Sequence, residues 1–319
     1  MGYTLCALGC GTMGTAVLSG VIASLESAAR KGKADSRFPV VDKWDSHTPG
    51  TVTPTDTPDA TVPKRFIVTT KRQVSATKLK GTFAELGDIG KTVECIAGNN
   101  VEAVKRSDVV LLCCKPYMAG AILAEPGLKE ALNGKLLISV LAGVTTAQLE
   151  EMVLPTTRVV RAMPNTPCRI REGMTVVSTL PESSHTDNDM AIILKIFSSI
   201  GRCRFVDEKH FDACTALGGS GPAFACLFIE AMADGGVMMG LPRAEALEIA
   251  SQTLQGAARM VLGANLHPAQ LKDAVTTPGG CTIAGLLALE DGKVRSTIAR
   301  SIQAATERAA ELGQPAAKK

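Results

Sequence analysis

The six residues Gly9-Cys10-Gly11-Thr12-Met13-Gly14 constrain the fold more than any other part of this chain. They follow an apolar run, Thr4 to Leu8, and precede the amphipathic stretch Thr15 to Ala29. In that setting the G-x-G-x-x-G spacing has a mechanical reading. Gly9 permits a tight turn, Gly11 lets backbone approach a pyrophosphate, and Gly14 allows close helix packing, so that the free N–H groups of a helix start aim at phosphates. A glycine-rich turn without a ligand would carry the same letters. The flanking strand and helix favour a dinucleotide site.

Downstream, short apolar runs alternate with amphipathic stretches, the pattern of a mainly parallel sheet covered by helices. Strands are predicted at Thr4 to Leu8, Phe66 to Thr69, Glu94 to Ile96, Val109 to Cys113, Leu136 to Val140 and Arg158 to Ala162. Val109-Val110-Leu111-Leu112 and Leu136-Leu137-Ile138 are apolar without alternation, which puts them in the middle of the sheet. Two segments compete for the second strand. Phe38-Pro39-Val40-Val41-Asp42 ends in an acid, which would hold ribose hydroxyls and repel an extra phosphate. Phe66-Ile67-Val68-Thr69 runs instead into Thr70-Lys71-Arg72. Pro39 disfavours a central strand, and Val74 to Leu86 supplies a helix after the second candidate. Phe66 to Thr69 is therefore preferred, and with it NADPH over NADH, because Thr70, Lys71 and Arg72 offer a hydroxyl and cations to a phosphate. An exposed basic pair also suits an ordinary solvated loop. Pro39, Pro49, Pro54, Pro58 and Pro63, among many Thr and Asp residues, predict a flexible insertion over 30–64.

Beyond Val206 the period changes to 3.6 residues, with helices predicted over Pro222 to Met239 and Arg243 to Leu262. Ser220 can cap the first of these and Pro222 can start it. The expected fold class is α/β: a Rossmann-like, doubly wound, mainly parallel sheet domain over 1–207, then an all-helical domain over 208–319. Residues 314–319 read as a frayed tail. A net charge of +3 points to no nucleic acid. The start, Met1-Gly2-Tyr3-Thr4-Leu5, lacks a basic signal region, and no apolar run approaches membrane-spanning length, so a cytoplasmic protein with no membrane partner is expected. None of the ten cysteines forms a C-x-x-C pair, and the four histidines lack helical spacing to one another, so no metal site is expected.

Two loops stand out for their backbone-restricting residues: Arg161-Ala162-Met163-Pro164-Asn165-Thr166-Pro167 and Thr276-Thr277-Pro278-Gly279-Gly280-Cys281-Thr282. In the second, Pro278-Gly279-Gly280 must bend sharply, and Cys281-Thr282-Ile283 can open an apolar helix continuing to Leu289. Free N–H groups there could hold a carboxylate. A plain helix start capped by Thr fits the same residues. At the nucleotide end, Cys113-Cys114-Lys115-Pro116 and Leu141-Ala142-Gly143-Val144 follow the fourth and fifth strands, where small residues would let a nicotinamide ring lie against backbone.

The motifs together carry a resemblance. GCGTMG at Gly9 to Gly14, CCKP at Cys113 to Pro116, RAMPNTP at Arg161 to Pro167, DACTALGGSGPAF at Asp212 to Phe224, ADGGVMMGLPR at Ala233 to Arg243 and TPGGCTIAGL at Thr277 to Leu286 are similar to the pyrroline-5-carboxylate reductase family, in a fungal-looking form, over almost the whole chain. The resemblance implies an NADPH-dependent oxidoreductase, with NADH as the alternative cofactor. It would reduce the imine of L-1-pyrroline-5-carboxylate to L-proline, the last step of proline biosynthesis. It also implies a homodimer whose helical domains interlock, with further assembly of dimers. Carried over motif by motif, Gly9, Cys10, Gly11, Thr12, Met13 and Gly14 hold the cofactor with Lys71 and Arg72. Asn100 lies at its adenosine side, and Cys114, Lys115, Pro116 and Ala142 line its nicotinamide end. Glu172 contacts the substrate ring, the backbone at Cys281 and Thr282 grips the substrate carboxylate, and the catalytic Thr282 hydroxyl hydrogen-bonds the ring nitrogen. Cys281 departs from the Thr or Ala usual in this loop, which is harmless if only its N–H is used.

On this reading hydride attacks C5 of an imine made electrophilic by a proton on nitrogen, so orientation and electrostatics suffice without a His or Lys base. A β-hydroxyacid dehydrogenase shares the two-part plan but relies on a helical lysine, and Ser220 and Gly221 stand here without one nearby. A non-catalytic NADPH sensor is the alternative from another class.

Overall fold

The structure, a computed structural model, describes residues 2–31, 60–264 and 266–312. The chain divides into two compact units, Met1–Gly219 with Thr306–Lys319, and Ser220–Ala305.

The first unit is built on one sheet. Its strands are β1 (Tyr3–Leu8), β2 (Pro63–Thr70), β3 (Glu94–Ala97), β4 (Val109–Leu112), β5 (Leu136–Ser139), β6 (Arg158–Met163), β7 (Gly173–Ser178) and β8 (Gly201–Val206). They lie in the order β3-β2-β1-β4-β5-β6-β7-β8, and all neighbours are parallel except β6 and β7. β1, β4 and β5 are buried along their whole length, as their unbroken apolar runs require. Successive side chains point to opposite faces. Leu5, Ala7, Val68, Leu111 and Ile138 therefore join one core with Val17, Phe83 and Phe197, while Cys6, Leu8, Ile67, Val110 and Leu137 join another with Leu123 and Leu149. Each large side chain so buried contributes about 1.5–3 kcal/mol.

The neighbour of β1 is β2, with Cys6 opposite Ile67 and Ala7 opposite Val68. This settles the competition in favour of Phe66 to Thr69; Phe38 to Asp42 lies outside the described residues. From β1 the chain moves to β2 on one side and later returns to β4 on the other. The order therefore reverses between β1 and β4, where open α/β sheets bind ligands at the strands' carboxyl ends.

Helix α1 (Thr12–Lys31) begins three residues earlier than its amphipathic stretch suggested, and α2 (Gln73–Ala84) follows β2. Of the proposed 30–64 insertion, 30–31 close α1 and 63–64 open β2; residues 32–59 lie outside the described residues, as do 314–319. β7 and β8 were not expected. Gly173-Met174-Thr175-Val176-Val177-Ser178 and Gly201-Arg202-Cys203-Arg204-Phe205-Val206 mix polar and apolar residues and gain strand form from pairing with each other in register.

The second unit is helical, with Gly221–Met238, Arg243–Ala264, Pro268–Ala274, Cys281–Asp291 and most of Val294–Leu312. Ser220 does not cap the first helix. Its backbone is already helical (φ −87°, ψ −24°) and it makes no capping bond, because Phe211–Cys214 and a π-helical stretch, Thr215–Ser220, lead into Gly221 without a break. The resulting run, Glu208–Met238, is long and apolar enough by length and composition to cross a membrane. That corrects the sequence reading, which began the helix at Pro222 and so missed its length. Within the single chain this unit leaves Leu227, Met238, Met239, Leu287 and Leu289 exposed.

Candidate active site

The glycine turn after β1 is held from both sides. Gly9 has φ 71°, and a Cβ placed on it would lie 2.8 Å from the Cys114 Cβ. Its N–H donates to Thr69 Oγ1 at 3.0 Å, and the Cys10 N–H donates to the Thr69 carbonyl at 2.9 Å. On the β4 side the Cys113 N–H donates to the Leu8 carbonyl. Gly14 lies in the first turn of α1, where a Cβ would meet Cys113 Cβ at 2.8 Å and Sγ at 2.9 Å. That turn carries no acidic side chain, so its N–H groups face no competing carboxylate. The nearby thiols stay neutral: burial pushes Cys10 up to about 12 and raises Cys113 well above the usual thiol value.

The other cofactor candidates follow the same rim. At the end of β2, Thr70 Oγ1 donates to the Arg72 carbonyl at 3.0 Å, leaving Lys71 and Arg72 exposed. At the end of β3 it is Asn99, not Asn100, that caps the next helix, by accepting the Glu102 N–H. Asn100 Nδ2 donates to Glu125 Oε1 at 2.7 Å. After β4, Cys114 is half-buried, Lys115 is exposed and Pro116 opens a single 3₁₀ turn. After β5, Ala142 packs against Met163, Val176 and Phe211. In spatial order the rim thus runs Asn100, Lys71 and Arg72, the glycine turn, Cys114 to Pro116, and Ala142.

An ionic cluster near Ala142, in which Arg161 is buried and Glu208 half-buried, escaped the sequence reading. Arg161, its side chain 3% exposed, donates from Nη1 to Glu208 Oε1 at 2.9 Å, and its guanidinium lies 4.5 Å from the centre of the Phe211 ring. The same carboxylate oxygen accepts the Thr146 N–H at 2.8 Å. Burial alone would raise the Glu208 carboxyl, but the Thr146 N–H and the Arg161 guanidinium outweigh it and hold the group below the usual carboxylate range. Asn165, also from the RAMPNTP segment, accepts the Met174 N–H and donates to the Gly218 carbonyl in the π-helical stretch. The available signal was an arginine inside an apolar strand, which needs a partner wherever it is buried.

Glu172 is exposed and follows Arg171, a non-glycine residue in left-handed conformation (φ 63°). The Glu172 N–H donates to the Pro167 carbonyl, closing the RAMPNTP loop before β7. In the second unit, Cys281 and Thr282 are the first two residues of their helix. Gly280, with extended backbone (φ −78°, ψ 168°), occupies the cap position, no side chain caps the start, and the first turn has no acid. The capping alternative for Thr282 therefore falls away. Its half-buried hydroxyl and the leading N–H groups are all hydrogen-bonding groups of a helix start.

A doubly wound sheet with a glycine turn at its switch point, followed by a helical unit, is the plan of an NAD(P)-dependent oxidoreductase. Residues 208–312, which include the apolar run Glu208–Met238, match the family model described as pyrroline-5-carboxylate reductase dimerisation, and 55–143 match one described as NADP oxidoreductase coenzyme F420-dependent. A pyrroline-5-carboxylate reductase of Lophium arboricola is 45% identical over 98% of this chain and 93% of its own length. One of Schizosaccharomyces pombe is 43% identical over 97% and 99%. The chain belongs to the pyrroline-5-carboxylate reductase family. Among solved structures, a Plasmodium falciparum pyrroline carboxylate reductase with NADP bound is similar at TM-score 0.73 and 27% identity, covering 98% of this chain and 100% of that one.

Proposed function

We infer that the protein reduces the carbon–nitrogen double bond of L-1-pyrroline-5-carboxylate to give L-proline, with NADPH preferred over NADH. The observation that carries this is the 45% identity, over nearly the full length of both chains, to a reductase of that name.

The residues fit a dinucleotide. Gly9 and Gly14 stand where any side chain would collide with Cys114 or Cys113, and the start of α1 presents N–H groups without a nearby acid. When bound, the cofactor supplies hydride. Residues 1–207 do the holding: the Gly9 to Gly14 turn takes the pyrophosphate, Lys71 and Arg72 the extra phosphate, Asn100 the adenosine side, and Cys114, Lys115, Pro116 and Ala142 the nicotinamide end. Residues 208–319 supply the substrate carboxylate site at the Cys281 and Thr282 N–H groups, a helix start suited to an anion. The Thr282 hydroxyl accepts the hydrogen bond of the protonated ring nitrogen and so holds the iminium that hydride attacks at C5, and Glu172 contacts the ring. A fixed set of donors of this kind orients two rings and replaces water around the charge.

The exposed apolar residues of the helical unit, with the dimerisation match, support a homodimer; further assembly of dimers and a cytoplasmic location belong to the same proposed reading. The test is imine-dependent loss of nicotinamide absorbance with NADPH and NADH separately, with proline identified by mass. Cofactor oxidation that ignores the imine, or that proceeds with keto acids instead, overturns the reading.

A further inference from the structure

Arg161 is the one cation that β6 carries into the interior from its middle residues, and a stability role does not account for it. A guanidinium 3% exposed, with Nε and Nη2 lacking any protein partner among the described residues, is expensive to keep out of water; apolar side chains of similar volume fill such places as well or better. What the arrangement does achieve is geometric. The Thr146 N–H belongs to a helix start, Thr146–Glu150, whose own capping box already uses Thr145 and Gln148. Glu208, 62 residues away in the sequence, takes this remaining donor at 2.8 Å. Arg161 fixes Glu208 from the other side and rests on Phe211, and Phe211 belongs with Met163 and Val176 to the cluster against which Ala142 packs. The loop between β5 and that helix is therefore held at Ala142 by this cluster and at Thr146 by Glu208, and Arg161 touches both holds, through Phe211 and through Glu208.

We propose that Arg161 and Glu208 are positioning residues for hydride transfer, fixing the 140–146 loop as the wall against which the nicotinamide ring is oriented. This rests on the functional reading above, in which Ala142 lines the nicotinamide end. Acting through the loop, the pair governs ring orientation more than binding strength. Small errors of orientation cost turnover steeply, on the order of 10²-fold for a displacement of about 1 Å.

The test compares Glu208→Gln, Glu208→Ala, Arg161→Lys and Arg161→Met with the wild-type oligomer. Hydrogen exchange of the 141–149 segment without cofactor gives a readout independent of activity: Glu208→Ala is expected to speed it, with Arg161→Met in between. With NADPH, kcat is expected to fall roughly 10- to 100-fold while the dissociation constant moves less than about 3-fold. The kinetic isotope effect from deuterium at nicotinamide C4 is expected to rise towards its single-turnover value. Glu208→Gln keeps an acceptor for Thr146 but loses the charge facing Arg161, so it should lie between wild type and Glu208→Ala. Should the Arg161 variants fail to fold, the two Glu208 variants decide. Unchanged loop exchange, or kcat and affinity falling together, overturns the proposal. Failure of the functional reading is distinguishable, because it appears as absence of imine-dependent turnover in the wild type.

Discussion

The Gly9 N–H donates to the Thr69 hydroxyl at 3.0 Å, so the turn proposed to take the pyrophosphate is tied to the last residues of the strand beside it. Thr69 is fully buried, and its carbonyl also takes the Cys10 N–H. Thr69→Val keeps the shape and removes the acceptor. An orphaned, partly buried N–H costs about 1–3 kcal/mol. Urea denaturation is expected to show a loss of this size, and fluorescence titration a weaker NADPH affinity with a smaller effect on kcat. Unchanged stability and affinity would mean that the turn holds itself.

Arg72, exposed at the start of α2, is the residue proposed to separate the two cofactors. A charge-assisted hydrogen bond to a phosphate contributes about 1.5–3 kcal/mol, which corresponds to roughly 10- to 100-fold in affinity. Arg72→Ala is expected to raise the KM for NADPH by a factor in that range and leave the KM for NADH almost unchanged. Equal effects on the two cofactors would remove the basis for an NADPH preference.

What the sequence made legible follows the range of each interaction. The choice of Phe66 over Phe38 for β2 was readable because Pro39 and the helix after Thr70 are local facts, and the order of the candidate residues along the sheet's rim was readable because each sits at the end of a short apolar run. β7 and β8 were not, since Thr175, Arg202 and Arg204 break the apolar pattern and pairing with β6 and with each other makes strands of them. The helix before Gly221 was hidden for a related reason: Thr215–Ser220 takes a π-helical form, and the Gly218 carbonyl is satisfied by Asn165, 53 residues earlier. Arg161 was visible as a letter, but its role depends on Glu208, 47 residues away.

Glu94 and Arg106 form a two-bond ion pair at the edge strand β3. The hydrogen bonds from Arg106 hold the Glu94 carboxyl below its usual value of 4.5. A depressed folded value means stability that is present above the unfolded value and lost as pH falls through the folded one. Both side chains are partly exposed, so the contribution is at most about 1 kcal/mol. Glu94→Gln is therefore expected to lower Tm slightly near pH 7, with the gap closing as pH falls below the usual carboxylate range and through the depressed folded value. A gap that persists in acid would assign the effect to packing.

Thr282→Ala separates capture from chemistry. Gly280, not Thr282, occupies the cap position, so removing the hydroxyl leaves the helix start intact. A hydrogen bond to a charged imine nitrogen is expected to supply about 1.5–3 kcal/mol, or roughly 10- to 100-fold in kcat, with little change in NADPH affinity. Thr282→Ser should recover most of the rate. Unchanged steady-state turnover in Thr282→Ala would take the hydroxyl out of the mechanism.

Cys281 allows the same loop to be tested by reagent. Of the ten cysteines only Cys226 and Cys281 are exposed in the single chain, whereas burial pushes Cys6, Cys10 and Cys203 up to about 12. Alkylation needs an accessible thiolate, so iodoacetamide near pH 8 should leave the buried thiols unmodified. Cys226 lies on the apolar helix Gly221–Met238, inside the region that matches the dimerisation model, and dimer formation is expected to cover it. Cys281 is then the group that reacts. A carbamidomethyl group on the first residue of that helix occupies the space in front of the N–H groups read as the carboxylate site, so activity should fall in step with labelling, and L-proline should slow both. Cys281→Ala keeps the N–H and is expected to retain activity and resist the reagent, because the loop would use only the backbone there. Full activity after stoichiometric labelling of Cys281, or an inactive but folded Cys281→Ala, would show that the substrate carboxylate is held elsewhere.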